Sequence, residues 1–220
     1  ARREHPDGAP VGARIVDGPT TRGFDVFHGF HHSRHMEAVI ENDRVIAHDD
    51  VVNMLPRLTR EAVAYLDQRA AEPTTAPFFL YLALNSPHTP HVPAPEWQGR
   101  SGLGVYGDFV MQTDASVGAV LAALERNRLS EDTLVIFTSD NGTSRAANID
   151  ALREQGHHVS AGFRGSKADL WEGGHRVPFL VRWPGNVAAG STSDALICLT
   201  DVFATVAEIV GQEIPDGAGE

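Results

Sequence analysis

The spacing of apolar residues predicts alternating strands and helices through the middle of the chain. Residues 78–84 form a continuous apolar run of the length typical of a strand that is buried on both faces. Residues 106–127 follow with apolar side chains at helical spacing, and residues 133–138 form a second apolar run. A strand, a helix and a strand of these lengths make a βαβ unit, so we expect an α/β fold with a largely parallel sheet.

Further elements are predicted on both sides of this unit. Residues 51–70 are expected to form a helix because their apolar side chains share one face. Residues 178–183 are typical of another strand, and residues 195–199 are compatible with one more. A last helix is predicted to begin at Thr200 or Asp201, either of which can cap it, and to end at a following glycine. Its inward-facing residues are expected to be Val202, Val206, Ile209 and Val210.

The composition narrows the possible partners. The chain carries 29 acidic and 18 basic residues, a net charge of −11, which argues against nucleic acid or an anionic membrane as a partner. No apolar run is long enough to cross a bilayer. The single cysteine, Cys198, excludes a disulfide scaffold and a cysteine-rich zinc site, and its apolar neighbours predict a small core residue.

The two ends of the sequence indicate a piece of a longer protein. The chain begins at Ala1 with no initiator methionine and no signal peptide, and it ends in loop-like composition. We therefore expect an internal fragment, for which the lack of a signal peptide says nothing about location. The sequence does not indicate an oligomeric state.

Candidate site residues follow two of the predicted strands. His88 lies in the loop after the first apolar run, and Asp140 and Asn141 lie directly after the second. Ligands of open α/β sheets bind at the carboxyl ends of the strands. The pattern therefore places His88 and the Asp140–Asn141 pair on the same rim of the predicted sheet.

Each of these residues has an ordinary structural interpretation as well. Asp140 and Asn141 offer hard oxygen ligands, which suit calcium or magnesium better than zinc, but Asp-Asn-Gly is also a common turn sequence. His88 and His91 could form a zinc pair, or they could be histidines that are hydrogen-bonded within a proline-rich loop.

Lys167 is the only lysine among the 18 basic residues. It lies in a glycine-rich segment, residues 164–176, whose glycines let the backbone approach a ligand or another strand closely. Lysine is a compact charge that can donate a proton, which arginine in effect cannot do. The alternative is a solvated surface lysine, and the composition weakens that interpretation without removing it.

Other possible metal ligands are better explained by structure. Asp49 and Asp50 directly precede a predicted helix, where acidic side chains cap the helix and complement its dipole. A histidine cluster in an irregular segment is more typical of a surface loop; its members are His31, His32 and His35. The chain has no Gly-x-Ser-x-Gly elbow and no phosphate-binding loop, which argues against a serine hydrolase and a nucleoside triphosphatase.

Taken together, the segments resemble the sulfatase family. The matching stretches follow the family order and comprise residues 78–93, 107–124, 133–142 and 164–184. Residues 23–27 and 40–44 also look like upstream sulfatase segments. Each motif is weak alone, but the ordered set is specific and covers nearly the whole chain. The resemblance implies an alkaline phosphatase-like three-layer α/β/α sandwich, of which residues 1–220 would be the central portion of the catalytic domain.

The resemblance also implies roles for the matching residues. Asp140 and Asn141 look like two ligands of the calcium ion that holds the sulfate group. His88 matches the histidine that hydrogen-bonds the sulfate near the leaving group, and Lys167 matches the lysine that contacts the sulfate and the bridging oxygen. His158, next to His157, is expected to line the substrate pocket. The substrate would be a sulfate ester of a small molecule or a carbohydrate.

The chain departs from the family pattern in its nucleophile. Sulfatases make a formylglycine from Cys or Ser in a C/S-x-P-x-R motif, and no such motif occurs here, because Cys198 is followed by Leu-Thr. We expect the formylglycine upstream of Ala1, so that the fragment alone is inactive, and a periplasmic or secreted location by family resemblance. Two alternatives stay open, namely a zinc phosphatase or phosphodiesterase of the same superfamily and a non-catalytic carbohydrate-binding relative.

Overall fold

The computed structural model describes residues 8–33, 35–74 and 76–218, which form two compact units. The first unit comprises Ala1–Glu131 and Ser144–Ala161, and the second comprises Asp132–Thr143 and Gly162–Glu220. The second unit therefore uses two separate stretches of the chain. Each unit is described by itself below.

The first unit begins with a small antiparallel sheet of three strands, β1 (His28–Gly29), β2 (Ala38–Glu41) and β3 (Arg44–His48). The β2–β3 hairpin pairs Ala38 with His48, and its register shifts between Val39 and Ile40. The buried face of the sheet contacts the start of the first helix, with a core formed by Met36, Val39 and Met54.

Two long helices pack against each other in the first unit. Helix α1 (Met54–Ala71) follows a 3₁₀ turn at Val51–Asn53, which confirms the helix predicted over 51–70. Its buried face is the predicted apolar one, and its buried residues are Met54, Leu55, Leu58, Ala62 and Leu66. Helix α2 (Gly104–Arg126) confirms the helix predicted over 106–127. At its end, Arg126 and Asn127 both donate hydrogen bonds to the carboxylate of Asp67 on α1.

Residues 78–84 differ from the prediction of a buried strand. The segment is extended, but it forms no ladder among the described residues. Its side chains alternate between half-buried and exposed, and Phe79 and Tyr81 on the outer side are 65% and 72% exposed. One side of the segment is covered by its own unit, as in the contact of Tyr65 with Phe78. The expected parallel pairing with residues 133–138 is therefore not among the described ladders.

The second unit contains a two-stranded sheet of β4 (Val135–Thr138) and β5 (Phe179–Arg182), which confirms both predicted strands. The two strands are antiparallel, with Val135 opposite Arg182 and Thr138 opposite Phe179. The ladders of the described residues are thus all antiparallel. Hydrogen bonding of β5 to β4 brings the chain that precedes β5 next to the chain that follows β4.

The end of the second unit is more exposed than the sequence predicted. No strand is assigned to residues 195–199, and Cys198 is an exposed free cysteine instead of a core residue. Helix α5 (Asp201–Ile209) begins where predicted, but it has no buried residue, and Ile209 is 41% exposed. The expectation that Val202, Val206, Ile209 and Val210 face inward is therefore not met, since the described residues bury none of them.

Two shorter helices complete the described chain, α3 (Ile149–Glu154) in the first unit and α4 (Glu172–His175) in the second. Among the described residues, no helix has the length and apolar character that a membrane span needs.

Candidate functional site

The Asp140 turn of the second unit is held by backbone hydrogen bonds to the Lys167 segment. The amide of Gly142 donates to the carbonyl of Gly174 at 2.9 Å, and the amide of Lys167 donates to the carbonyl of Thr143 at 2.9 Å. The two segments that carry Asp140, Asn141 and Lys167 are therefore joined directly, and the contact begins at the residue that follows Asn141. The structure brings together these three predicted site residues.

Gly142 makes the contact between the two segments possible, and Gly173 and Gly174 allow close packing within the Lys167 segment. A Cβ atom at Gly142 would overlap the carbonyl oxygen of Gly173, and one at Gly174 would overlap that of Asp169. A Cβ at Gly173 would likewise overlap the carbonyl of Gly165. The glycines of residues 164–176 were expected to allow close backbone approach, and Gly173 and Gly174 do so. Gly142 was expected only as part of a turn.

Lys167 is half-buried, and its ammonium group has no ion pair or hydrogen bond within residues 8–33, 35–74 and 76–218. The nearest acid in sequence, Asp169, accepts hydrogen bonds from the amide and the hydroxyl of Ser166 at 2.9 and 3.2 Å. Among the described residues, the Lys167 ammonium group is therefore not paired with an acid, and its segment contacts the Asp140 turn through the backbone.

Asp140 and Asn141 leave oxygen atoms available to a cation. The Asp140 carboxylate is exposed and has no partner among the residues that the structure describes. The side-chain nitrogen of Asn141 donates to the carbonyl of Gly142 at 3.3 Å. This hydrogen bond does not involve the side-chain oxygen of Asn141, which can therefore face a cation. Two hard oxygen ligands fit part of a calcium shell, which needs six to eight oxygen atoms. Within the described chain there is no cluster of three or more His, Cys, Asp or Glu residues that could hold a metal ion.

His88 lies in the first unit, in a loop closed by a hydrogen bond from its amide to the carbonyl of Asn85 at 3.1 Å. Its Nδ1 atom lies 2.6 Å from the carbonyl oxygen of Thr89. Because a carbonyl can only accept, Nδ1 carries a proton and donates it. The opposite nitrogen, Nε2, has no partner among the described residues, so it is the atom that can meet a ligand.

Helix α2 fixes this loop through polar side chains on its buried face. The hydroxyls of Thr113 and Ser86 lie 2.8 Å apart, and Thr113 also donates to the carbonyl of Phe109 at 2.7 Å, so Ser86 is the donor to Thr113. Gln112 accepts a hydrogen bond from the amide of Ala94 at 2.9 Å, and both groups are buried. The loop that carries His88 is thus attached to a helix at two successive points.

Asp108 anchors the far end of the same loop. Its carboxylate accepts from the amides of Ser101 and Gly99, both at 2.8 Å. These backbone hydrogen bonds, with a further one from the Ser101 hydroxyl, lower the pKa of Asp108 below its usual value. The carboxylate is therefore held in its charged form, as an acceptor for otherwise unpaired loop amides.

The other loop histidine, His91, packs its ring against Tyr106 at 5.2 Å between ring centroids. Burial lowers the pKa of His91, and the positive charge of His88 lowers it further. The zinc alternative for His88 and His91 gains no third ligand among the described residues.

His158 lies in the first unit, and its carbonyl accepts from the amide of Ala161 at 3.1 Å. Its side chain is exposed, as is that of His157. His88 and His158 thus belong to one unit and Asp140, Asn141 and Lys167 to the other. The roles of all five residues stay predictions.

The acids set aside in the sequence have structural partners. Asp49 accepts from Arg57 at 2.5 Å and from Asn53 at 2.7 Å. Hydrogen bonds from these two side chains lower the pKa of Asp49. A carboxylate committed to an arginine is a poor metal ligand. The expected capping is not observed, because among the described residues no side chain caps the 3₁₀ turn at Val51–Asn53 or the start of α1. In the histidine cluster, the backbones of His32 and His35 form an isolated antiparallel β-bridge.

The polar anchors on α2 were not predicted from the sequence. Apolar spacing alone does not identify the buried side of this helix, because the apolar side chain of Val110 is 39% exposed. The buried residues there include Asp108, Gln112 and Ser116. Their spacing of four was a signal that could have been found, because three polar residues one helical turn apart form a stripe.

Comparison with solved structures gives the class of fold. The structure superimposes on that of Ps i-CgsB in complex with k-i-k-neocarrahexaose with a TM-score of 0.76 at 26% identity, over 90% of this chain and 48% of the other. The PsFucS1 sulfatase from Pseudoalteromonas sp. matches with a TM-score of 0.66 at 26% identity, over 81% of this chain and 36% of the other. The chain is an α/β protein of the alkaline phosphatase-like class, present here in part.

The sequence comparisons then give the family. A sequence model of the sulfatase family matches residues 18–212, so the chain belongs to the sulfatase family. Steryl-sulfatase of Mus musculus is 41% identical over 76% of this chain. N-acetylgalactosamine-6-O-sulfatase of Bacteroides thetaiotaomicron is 35% identical over 73% of this chain. The matched region spans 26% and 31% of the length of these two relatives.

Proposed function

We propose that this chain is the central part of an enzyme that hydrolyses sulfate esters. The observation that carries the proposal is the junction of the Asp140 turn with the Lys167 segment, made by two backbone hydrogen bonds. It fixes an unpaired lysine beside two oxygen ligands of the type that bind calcium. Membership of the sulfatase family supports the reaction class.

Lys167 serves as the fixed positive charge of the site. A sulfuryl group in transfer carries negative charge on its oxygens and on the departing oxygen, and a preorganised cation stabilises that charge. The Lys167 ammonium group pairs with no carboxylate among the described residues, so its charge is available to a bound anion. Its backbone amide is bonded to Thr143, so the lysine starts from a defined position.

His88 serves as the donor at the leaving group. Since Nδ1 donates to the Thr89 carbonyl, Nε2 is the nitrogen left for a ligand, and it donates a hydrogen bond only when the ring carries both protons. A doubly protonated His88 would hydrogen-bond the sulfate and supply a proton to the departing alkoxide. The anchors on α2 hold the His88 loop in place for this task.

Asp140 and Asn141 serve as two ligands of a calcium ion. Such an ion would supply charge stabilisation to the sulfate oxygens. The two residues form an incomplete shell, so the remaining ligands come from elsewhere in the polypeptide. Metal analysis of the purified full-length protein tests this assignment: about one calcium per chain supports it, whereas two zinc ions favour the phosphatase or phosphodiesterase alternative.

The nucleophile of the proposed reaction is a formylglycine supplied by sequence N-terminal to Ala1. The 220 residues contain no C/S-x-P-x-R motif, and the matched region spans only 26% of the length of the mouse relative. We therefore expect the 220 residues to have no turnover by themselves, and we propose a periplasmic or secreted location for the whole protein. An upstream sequence without the motif would favour a carbohydrate-binding relative over an enzyme.

The proposed substrate is a sulfate ester of a carbohydrate or a small alcohol. The names of two relatives support this range, because one is a steryl-sulfatase and another an N-acetylgalactosamine-6-O-sulfatase. The Ps i-CgsB structure contains k-i-k-neocarrahexaose. The exposed histidine His158 is proposed to line the substrate pocket.

Substitution of the two proposed catalytic residues tests the proposal. In the full-length protein, Lys167→Ala and His88→Ala should each lower kcat for an aryl sulfate at least roughly a hundredfold. Arg153→Ala and His48→Ala serve as matched controls, because Arg153 pairs with Asp150 and His48 bonds to the carbonyl of Ala9. Near-normal turnover in both test variants, with the controls also active, would exclude the proposed roles.

A further inference from the structure

The Lys167 segment contains a second basic side chain without an acidic partner. The guanidinium carbon of Arg164 lies 3.8 Å from the centroid of the Trp171 ring, in contact with its face. No hydrogen bond or ion pair of the Arg164 side chain exists within the part of the chain that the structure describes. Both side chains are exposed, and Trp171 is 51% exposed.

The backbone around this stack is fixed from several sides. The Arg164 carbonyl accepts from the amide of Gly173 at 2.8 Å. Gly165 has a φ of +90°, and a Cβ atom there would lie 2.8 Å from the Cβ of Trp171. Glycine at this position therefore lets Trp171 approach the backbone next to Arg164, which puts its ring under the guanidinium. The stack is built by the fold of the segment and is not a chance contact of two long side chains.

Stacking leaves the hydrogen-bonding capacity of Arg164 unused. A guanidinium contacts an aromatic ring through its flat face, while its five N–H groups point outward in its own plane. These donors form a rigid fork that matches the two oxygens of a carboxylate or a sulfate. A stacked arginine that pairs with no acid among the described residues is thus preorganised to bind an oxyanion.

A second arginine of the same segment lacks this property. Arg176 lies 4.8 Å over the ring of Phe163, but it also pairs with the carboxylate of Glu172 at 2.9 Å. Arg176 is therefore paired with an acid of its own segment, whereas Arg164 has no such pair among the described residues. The two residues resemble each other in exposure and aromatic contact, which makes Arg176 a matched control.

We propose that Arg164, stacked on Trp171, binds a second anionic group of the substrate. The ligand class is a saccharide that carries a sulfate or carboxylate besides the sulfate ester that is hydrolysed. The inference rests on the proposed function, because it takes Lys167, three residues further along the same segment, as the residue at the scissile group. Binding of a second anionic group by Arg164 would make the enzyme selective for substrates with at least two negative charges.

Calorimetric binding to the full-length protein tests the proposal with two probes, a disaccharide with one sulfate and the same disaccharide with two sulfates. Wild-type protein should bind the disulfated probe more tightly. In Arg164→Gln, the ratio of the two affinities should fall roughly ten- to a hundredfold, the range for charge-assisted hydrogen bonds. Arg164→Lys keeps the charge but loses the planar fork of donors. Its affinity ratio should lie between those of the wild-type protein and Arg164→Gln.

Arg176→Gln should keep the wild-type ratio. An unchanged ratio in Arg164→Gln, or an equal loss in Arg164→Gln and Arg176→Gln, would overturn the proposal. Thermal unfolding of each variant shows whether the segment has kept its fold, and Trp171→Leu, which removes the stack without removing the charge, should also reduce the ratio.

The outcome separates this inference from the proposed function. If the wild-type protein hydrolyses the monosulfated probe but Arg164→Gln leaves the ratio unchanged, the sulfatase assignment stands and the second subsite is wrong. If the wild-type protein hydrolyses neither probe but binds the disulfated one through Arg164, the subsite stands and the sulfatase assignment is wrong.

Discussion

The two loops that carry the proposed catalytic residues are held by different means. The Lys167 segment is fixed by direct backbone contact with the Asp140 turn, and glycines occupy the positions where a side chain would intervene. The His88 loop is fixed by buried polar side chains of α2, which pair with its amides and with one of its hydroxyls. One loop depends on the absence of side chains and the other on particular ones.

This difference predicts how each loop responds to substitution. Backbone contact between glycines leaves no room for relaxation, since the clashing atoms are themselves backbone. A polar side chain that binds a loop amide can be shortened or exchanged, at the cost of the hydrogen bond it made. We therefore expect abrupt losses in the first loop and graded losses in the second.

The largest effect is expected for Gly142→Ala. The new methyl group would overlap the carbonyl oxygen of Gly173, so either the turn or the Lys167 segment must move, with an expected loss of roughly 3 kcal/mol or more in the free energy of unfolding. Denaturant unfolding measures it. Gly118→Ala is the control, because a Cβ at Gly118 in α2 meets nothing within 4 Å, and it should stabilise the helix by up to about 1 kcal/mol. Equal behaviour of the two variants would contradict the proposed junction.

A smaller loss is expected for Gln112→Leu. This change leaves the buried amide of Ala94 without its acceptor, which should cost about 1–3 kcal/mol in unfolding free energy. Gln155→Leu is the matched control, since Gln155 is exposed on the surface. Comparable losses in both variants would show that the α2 anchor contributes nothing specific.

Thr113→Val should have a milder effect. Valine keeps the shape of threonine but cannot bond to Ser86, so the loss should be about 1 kcal/mol. Thr113→Ser retains the hydroxyl and should recover most of it. Chemical denaturation of the three proteins checks this order, and a serine variant as unstable as the valine variant would argue against the hydroxyl pair.

The smallest effect concerns the pH dependence of stability. The pKa of His91 is lowered by burial and by the charge of His88, so the folded protein binds fewer protons here than the unfolded chain. The contribution of His91 to stability is then complete above about pH 6.5, the ordinary histidine pKa, and decreases as the pH falls below it. His91→Phe should reduce the change of melting temperature between pH 7 and pH 5. An unchanged dependence of melting temperature on pH would refute this account.

The positions of several elements could be predicted from the sequence. Helix α1 and strands β4 and β5 lie where apolar spacing placed them. Residues 78–84 were read as a buried strand because they are apolar throughout, but apolarity does not specify a hydrogen-bonded neighbour. Cys198 was placed in a core for the same reason and is exposed.

The residues of the candidate site could be predicted from the sequence, but the contacts that hold their segments together could not. Asp140, Asn141 and Lys167 were chosen from loop position and chemistry, and their segments are indeed joined. What joins them is backbone, and a sequence does not state which carbonyl a glycine faces. The role of Gln112 was hidden for a related reason, because an apolar count ignores a polar residue that is buried in order to bind an amide.

The outer side of residues 78–84 has a practical consequence for handling the protein. Phe79 and Tyr81 project from an extended backbone that has no ladder partner among the described residues. Such an edge is a template for other chains at high concentration. Solutions of these 220 residues alone should scatter light increasingly as they are concentrated, and charged replacements of Phe79 and Tyr81 should keep them clear.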